Sequence, residues 1–277
     1  MKIQKGALLA TILGELNAVA IDTIAGKSTF LIYYSDPLPV DSVVELLEGD
    51  PDVIYAQPNF LCAVPEIGQI SQSFPDENKP VYISGVSPDL YYDQQGAIIV
   101  SADSANLIST GDGVTVAVID NGIDYNHPLF ENSISASGFD FIDNDDYPAE
   151  EIGGLLGHGT FVSGLIKRIA PDCIIMPLRA FDAEGLGSSF KVAEAIYWAI
   201  DNGAGVINMS FSMSETDPVI YDAVSVALEA NLALAASPGN DGQELTTYPA
   251  AYTGVIAISA IDSLDYIAPF SNYGNYI

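Results

Sequence analysis

A succession of apolar runs, none containing a charged residue, governs what this chain can become. Val114–Ile119 is followed by Cys173–Leu178, Val206–Phe211, Leu232–Ala236 and Val255–Ile261. A run that is apolar almost throughout cannot turn one face to water, so it reads as a strand buried on both faces, the mark of a parallel sheet. Helical patterns lie between several of them. Phe161–Ile169 follows a Gly-His-Gly turn, and Phe190–Ile200 carries Val192, Ile196, Ala199 and Ile200 at helical spacing, opened by Ser188 or Ser189 and closed by Gly203. Val219–Asn231 follows an Asp217 cap with Pro218 in the first turn. This alternation predicts an α/β fold with a mostly parallel sheet flanked by helices over residues 89–277. In such sheets chemistry gathers where the strands end.

Residues 1–64 read differently, as a small α+β unit. Thr29–Tyr34 is an aromatic and β-branched strand, Val40–Leu47 a short helix introduced by Asp41 or Ser42 and stopped at Gly49, and Val53–Ala56 a second strand. Lys2, Lys5, the apolar Ala7–Leu13 and the small residues Ala18-Val-Ala20 sketch a signal peptide. Glu15 and Asn17 interrupt the apolar stretch, and an ordinary helix and strand are the better reading. Residues 65–88 are crowded with Pro, Ser, Gln, Asp and Glu and form a linker or processing region.

Charge narrows the partners. With 37 acidic side chains against 8 basic ones, the net charge is −29, a surface that repels phosphates and makes nucleic acid and anionic membranes poor partners. No apolar stretch is long enough for a transmembrane helix. Cys62 and Cys173 are too far apart in sequence for metal-ligand spacing and form no disulfide framework. No metal-ligating residues are assigned.

Three strand-end elements carry chemistry. Asp120 directly follows the apolar run 114–119 and precedes Asn121-Gly122, so its carboxylate is partly buried and needs a partner. His158 stands between Gly157 and Gly159 at the start of a helix, where small neighbours let other backbone or substrate come close. Ser237-Pro-Gly-Asn-Asp-Gly242 follows another apolar run, and the amide of Asn240 there can donate to a developing oxyanion. His127, in Asn126-His-Pro128, is a turn residue.

Together these elements resemble the subtilisin-like serine peptidases. The resemblance rests on Val116–Asp124, Gly157-His-Gly-Thr-Phe-Val-Ser-Gly164, Val206–Phe211, Ser237–Gly242, Tyr248-Pro-Ala-Ala251 and Phe270-Ser-Asn-Tyr-Gly274, in family order. It implies that Asp120 orients His158, that His158 is general base and then general acid, and that Asn240 is an oxyanion-hole donor. It further implies that Ser210-Phe211-Ser212 pairs with the substrate backbone, and that Ser237, Pro238 and Gly239 line the opposite wall of the pocket. Residues 1–64 then resemble the family's inhibitory propeptide, and Tyr91–Gly96 the start of the mature enzyme, with maturation between Asn59 and Leu90.

The resemblance implies a secreted, monomeric serine endopeptidase acting on polypeptides, bound by its own propeptide and needing no cofactor. It leaves two alternatives for the acidic loop of Asp140, Asp143, Asp145 and Asp146: a structural calcium site or a solvated surface loop. The usual calcium-ligating Asp after His-Pro is Leu129. The family's Gly-Thr-Ser-x-Ala-x-Pro motif does not occur in these 277 residues, so the nucleophile is expected beyond Ile277. Phe161, Ser212 and Pro238 replace the family's usual His, Gly and Ala. A catalytically inactive peptide-binding or regulatory relative is the alternative. A nucleotide-binding α/β domain would need a Gly-x-Gly-x-x-Gly turn, which Asp120-Asn-Gly122 does not supply.

Overall fold

The computed structural model describes residues 1–14, 16–35, 37–65, 91 and 95–277. They divide into two units, residues 1–60 with 217–219, and residues 61–216 with 220–277. The expected linker lies outside the described residues apart from Pro65, as do residues 92–94 of the expected mature start.

The first unit is a four-stranded antiparallel sheet with two helices. Its strands are β1 (Lys2–Ile3), β2 (Ala18–Ile24), β3 (Thr29–Tyr34) and β4 (Val53–Tyr55), in the order β2-β3-β1-β4. Helix α1 (Leu9–Leu13) and helix α2 (Val40–Glu48) supply Ile12, Leu13, Val43 and Leu47 to a core shared with Met1, Ile3 and Leu16. Helix and strand thus occupy the region where a signal peptide was weighed. Helix α2 starts without the expected Asp41 or Ser42 cap. Pro39 stands at its N-cap with φ −57°, and its carbonyl accepts the first helical bond, from Val43 N–H at 3.2 Å.

In the second unit the apolar runs pair as strands. β5 (Leu61–Ala63), β6 (Thr115–Asp120), β7 (Phe139–Asp140), β8 (Ile174–Arg179), β9 (Leu186–Ser188), β10 (Val206–Met209), β11 (Ala233–Ala236) and β12 (Ile256–Ala257) follow in chain order. Six of them form one parallel sheet, β12-β11-β10-β6-β8-β7. Val116–Ile119 are buried at every position, as a strand covered on both faces requires. The last run is a correction: only Ile256–Ala257 is strand, at the sheet edge, and Ile256 and Ile258 are more than half exposed. An edge strand has one neighbour, so an apolar run alone does not distinguish it from an interior one.

Short helices α3 (Gln95–Ile99) and α4 (Ala102–Asn106) precede the sheet, and α5 (His158–Ile169), α6 (Ser189–Asp201) and α7 (Pro218–Glu229) link its strands. Ser188 caps α6 by accepting from Lys191 N–H at 3.4 Å, and the helix buries Phe190, Val192, Ile196 and Ala199. Helix α5 starts three residues earlier than Phe161, so His158 is its first residue rather than part of the turn before it.

Candidate functional site

Register decides which residues meet. In the parallel sheet Ile119 pairs with Met209, and Met209 with Ala236. The next positions, Asp120, Ser210 and Ser237, therefore line up along one carboxyl edge of the sheet, with Asp120 still paired to Arg179 of β8. Gly239 and Asn240 follow on the loop after β11, and His158 approaches the same edge from the N-terminus of α5.

Asp120 and His158 are in direct contact, with His158 Nδ1 2.7 Å from Asp120 Oδ1. Asp120 is 1% exposed and His158 12%. An ionised carboxylate only accepts, so the proton of the neutral imidazole sits on Nδ1 and Nε2 is left as the basic nitrogen. Asp120 Oδ1 also accepts Asn121 N–H at 2.8 Å, whereas nothing among the described residues donates to its buried Oδ2.

A close approach builds this contact. A Cβ on Gly159 would lie 2.1 Å from the Gly122 carbonyl oxygen, so only glycine lets the start of α5 touch the turn after β6. Thr160 Oγ1 accepts Asp124 N–H at 2.8 Å, tying the same two segments. The N-cap, Gly157, has no side chain to cap with. Glu150 does so from a distance, accepting Thr160 N–H at 2.8 Å. Burial pushes the Glu150 carboxyl above its ordinary range and nearby Asp120 adds to this, against the hydrogen bonds from Thr160 and Gly157.

The segment Ser237-Pro238-Gly239 is held by Asn272, which is fully buried. Its Oδ1 accepts Asp241 N–H at 3.0 Å and Gln243 N–H at 3.2 Å, and its Nδ2 donates to Pro238 O at 2.9 Å. Gly239 has φ +97°, and a Cβ there would meet Asn272 Nδ2 at 2.7 Å and Ser212 Oγ at 3.1 Å. On the segment after β10, Ser210 Oγ accepts from Asn208 Nδ2 at 2.9 Å, and Phe211 packs on Phe181 with ring centroids 5.3 Å apart.

β5 pairs antiparallel with β9, Cys62 opposite Gly187, and Ser212 N–H donates to Ala63 O at 3.4 Å. Val64 N–H donates to Gly185 O at 3.1 Å. The strand therefore lies between Leu186–Ser188 and Ser212, joined to both by backbone bonds, an addition of extended chain to exposed backbone. Leu61 is 75% exposed while Cys62 and Val64 are buried, so alternate side chains enter the protein. Cys62 and Cys173 are buried and neither is in a disulfide, and Cys62 Sγ lies 3.3 Å from Met213 Sδ.

The acidic loop does not fit calcium. Arg179, at the end of β8 in register with Asp120, donates to Asp140, Asp143 and Glu151, each at 2.7 Å. Burial alone would lower the Arg179 pKa, but the hydrogen bonds to Asp140 and Asp143 raise it further above its ordinary value. Two of the four candidate ligands are thus committed to a guanidinium, and among the described residues no group of three or more His, Cys, Asp or Glu is arranged to hold a metal ion.

Asn121, Glu150 and Asn272 were not read as site residues from the sequence, although Asn121 and Asn272 lie within the motifs. Their roles depend on long-range hydrogen bonds that spacing does not encode.

Residues 111–277 match the sequence profile of the Subtilase family (Peptidase_S8). A "Thermophilic serine proteinase" of Bacillus sp. (strain AK1) is 34% identical over 97% of the chain and 64% of that relative. "Thermitase" of Thermoactinomyces vulgaris is 31% identical over 66% of the chain and 68% of its own length. Among solved structures, a lanthipeptide protease superposes with a TM-score of 0.60 at 28% identity, covering 68% of this chain and 60% of that one. The chain thus spans less than two thirds of the Bacillus relative and of the solved protease.

Two predictions follow from the site. Arg179→Met leaves the buried Asp140 charge without its partner and should cost about 3–5 kcal/mol in urea unfolding; an unchanged midpoint would show the cluster to be dispensable. For Glu150, the folded carboxyl titrates above the unfolded one. Its contribution to stability is therefore greatest below the ordinary glutamate value of about 4.3 and falls as pH rises towards the folded value. Glu150→Gln should remove that slope, read as the difference in melting temperature between wild type and variant from pH 4 to pH 7; parallel curves would contradict it.

Proposed function

Because the chain belongs to the subtilase family, we propose that it comprises the propeptide and most of the catalytic domain of a secreted serine endopeptidase that hydrolyses polypeptides. Residues 1–64 are the inhibitory propeptide in this reading, 65–88 the processing region and 89–277 the catalytic part. The nucleophilic serine lies in a Gly-Thr-Ser-x-Ala-x-Pro segment after residue 277. The observation that carries the reading is the 2.7 Å contact between His158 Nδ1 and the buried Asp120 at the edge of a peptide-filled groove.

Substrate enters as an extended strand between Leu186–Ser188 and Ser210–Ser212, in the manner of residues 61–64. His158 Nε2 takes the serine hydroxyl proton as the oxygen attacks the scissile carbonyl, and Asp120 stabilises the imidazolium that forms. Asn240 donates to the developing oxyanion. As the C–N bond breaks, His158 returns the proton to the leaving amine. Water then attacks the acyl-enzyme, with His158 as base again, and the serine is regenerated. This chemistry needs no cofactor, and the enzyme acts as a monomer. In this reading Ser212 and Gly239 both line the site for the residue before the scissile bond, and the Ser212 hydroxyl, close against Gly239, narrows it.

The test uses the polypeptide encoded by the complete reading frame, freed of its first 64 residues. Asp120→Asn should lower peptide turnover by ~10⁴-fold, and Asn240→Ala by ~10²–10³-fold. A folded wild type that cleaves no peptide would overturn the proposal in favour of a relative that binds peptides without cutting them.

A further inference from the structure

We propose that Asn121 is a positioning residue that sets the hydrogen bond between His158 and Asp120 by gripping both partners at once. The significance for catalysis rests on the peptidase reading; the geometry does not.

Asn121 is 1% exposed, and among the described residues its N–H and side-chain amide bond to Asp120 and to the backbone beside His158. On one side, its backbone N–H donates to Asp120 Oδ1 at 2.8 Å, the same oxygen that receives His158 Nδ1. On the other side, its amide holds the chain before and after His158. Oδ1 accepts Gly159 N–H at 2.9 Å, and Nδ2 donates to Leu155 O at 2.8 Å. That same Leu155 carbonyl accepts the backbone N–H of His158 at 3.1 Å. One side chain therefore fixes the residue after the histidine and the acceptor of the histidine's own N–H, while its backbone fixes the carboxylate.

This amide does more than fill a turn. An Asn-Gly turn needs no long-range partner for its side chain. Here both ends of the amide reach a segment 34 to 38 residues away. With Asp120 Oδ2 receiving no donor among the described residues, the carboxylate is held through Oδ1 alone, by Asn121 N–H and His158. A turn that shifts moves that single oxygen, and a hydrogen bond weakens steeply with misalignment. The Gly159–Gly122 contact stops the two segments from interpenetrating but does not stop them from parting; the Asn121 amide does that beside His158, and the Asp124–Thr160 bond does so further along.

The test needs no turnover, so it stands even if the chain never cleaves a peptide. In the ¹⁵N-labelled polypeptide of the complete reading frame, His127 and His158 are assigned by comparison with single His→Ala variants. His127, whose Nδ1 accepts Leu129 N–H at 3.3 Å, lies outside the clamp and serves as internal control. Wild type should show the neutral His158 ring protonated on Nδ1, with a low-field proton protected from solvent exchange. In Asn121→Ala, folded by its remaining amide spectrum, that proton should move upfield and exchange about tenfold faster, with His127 unchanged. Should the alanine variant lose the fold, Asn121→Thr keeps a hydroxyl acceptor for Gly159 and lacks the donor to Leu155, and should give a smaller change of the same sign. An unaltered His158 resonance and exchange rate in either folded variant would overturn the proposal.

Discussion

A buried carboxylate at the end of a strand is the constraint on which the rest of this site depends. Asp120 is withdrawn from water at the carboxyl edge of β6, where an isolated charge is costly. Its compensation comes from His158, delivered by the helix that opens 38 residues later. Everything that brings α5 to that edge serves this contact. The parallel register aligns the strand ends, Gly159 allows backbone to touch backbone, and Glu150 caps a helix whose own N-cap is glycine.

The scarcity of basic residues has a structural counterpart. Of the eight Lys and Arg side chains in the sequence, Lys167, Arg168 and Arg179 are buried. Lys167 donates to the carbonyls of Pro171 and Cys173 beyond the C-terminal end of α5, Arg168 pairs with Asp103, and Arg179 gathers three carboxylates. These cations serve internal electrostatics, and the surface is left strongly acidic. Arg179 brings a fixed positive charge to a loop whose carboxylates would otherwise repel one another, which explains why an acidic loop of this composition does not present a calcium-binding arrangement.

Much of the architecture was legible because periodicity reports burial directly. The runs ending at Ile119, Leu178 and Ala236 are strands, and the pattern of Val192, Ile196 and Ala199 is a helix face. Asp120 and His158 could be singled out because one follows an apolar strand and the other sits between glycines. β5 and β9 were not legible: each has three residues, and what makes them strands is their pairing with each other across more than a hundred residues. Asn121 read as a turn residue, and nothing in its neighbours announces that its amide spans to Leu155 and Gly159. The edge position of Ile256 was hidden for the converse reason, since an apolar run carries no record of how many neighbours it has.

The central claim is that Asp120 and His158 activate a serine at a groove that residues 61–64 fill. The most direct measurement is reaction of the complete polypeptide with a fluorophosphonate probe, before and after removal of the first 64 residues, with the modified residue located by mass spectrometry. The account predicts labelling of one serine in a Gly-Thr-Ser segment only after removal, abolished by His158→Ala. A folded, trimmed protein that takes up no probe, or one labelled equally with and without His158, would contradict it.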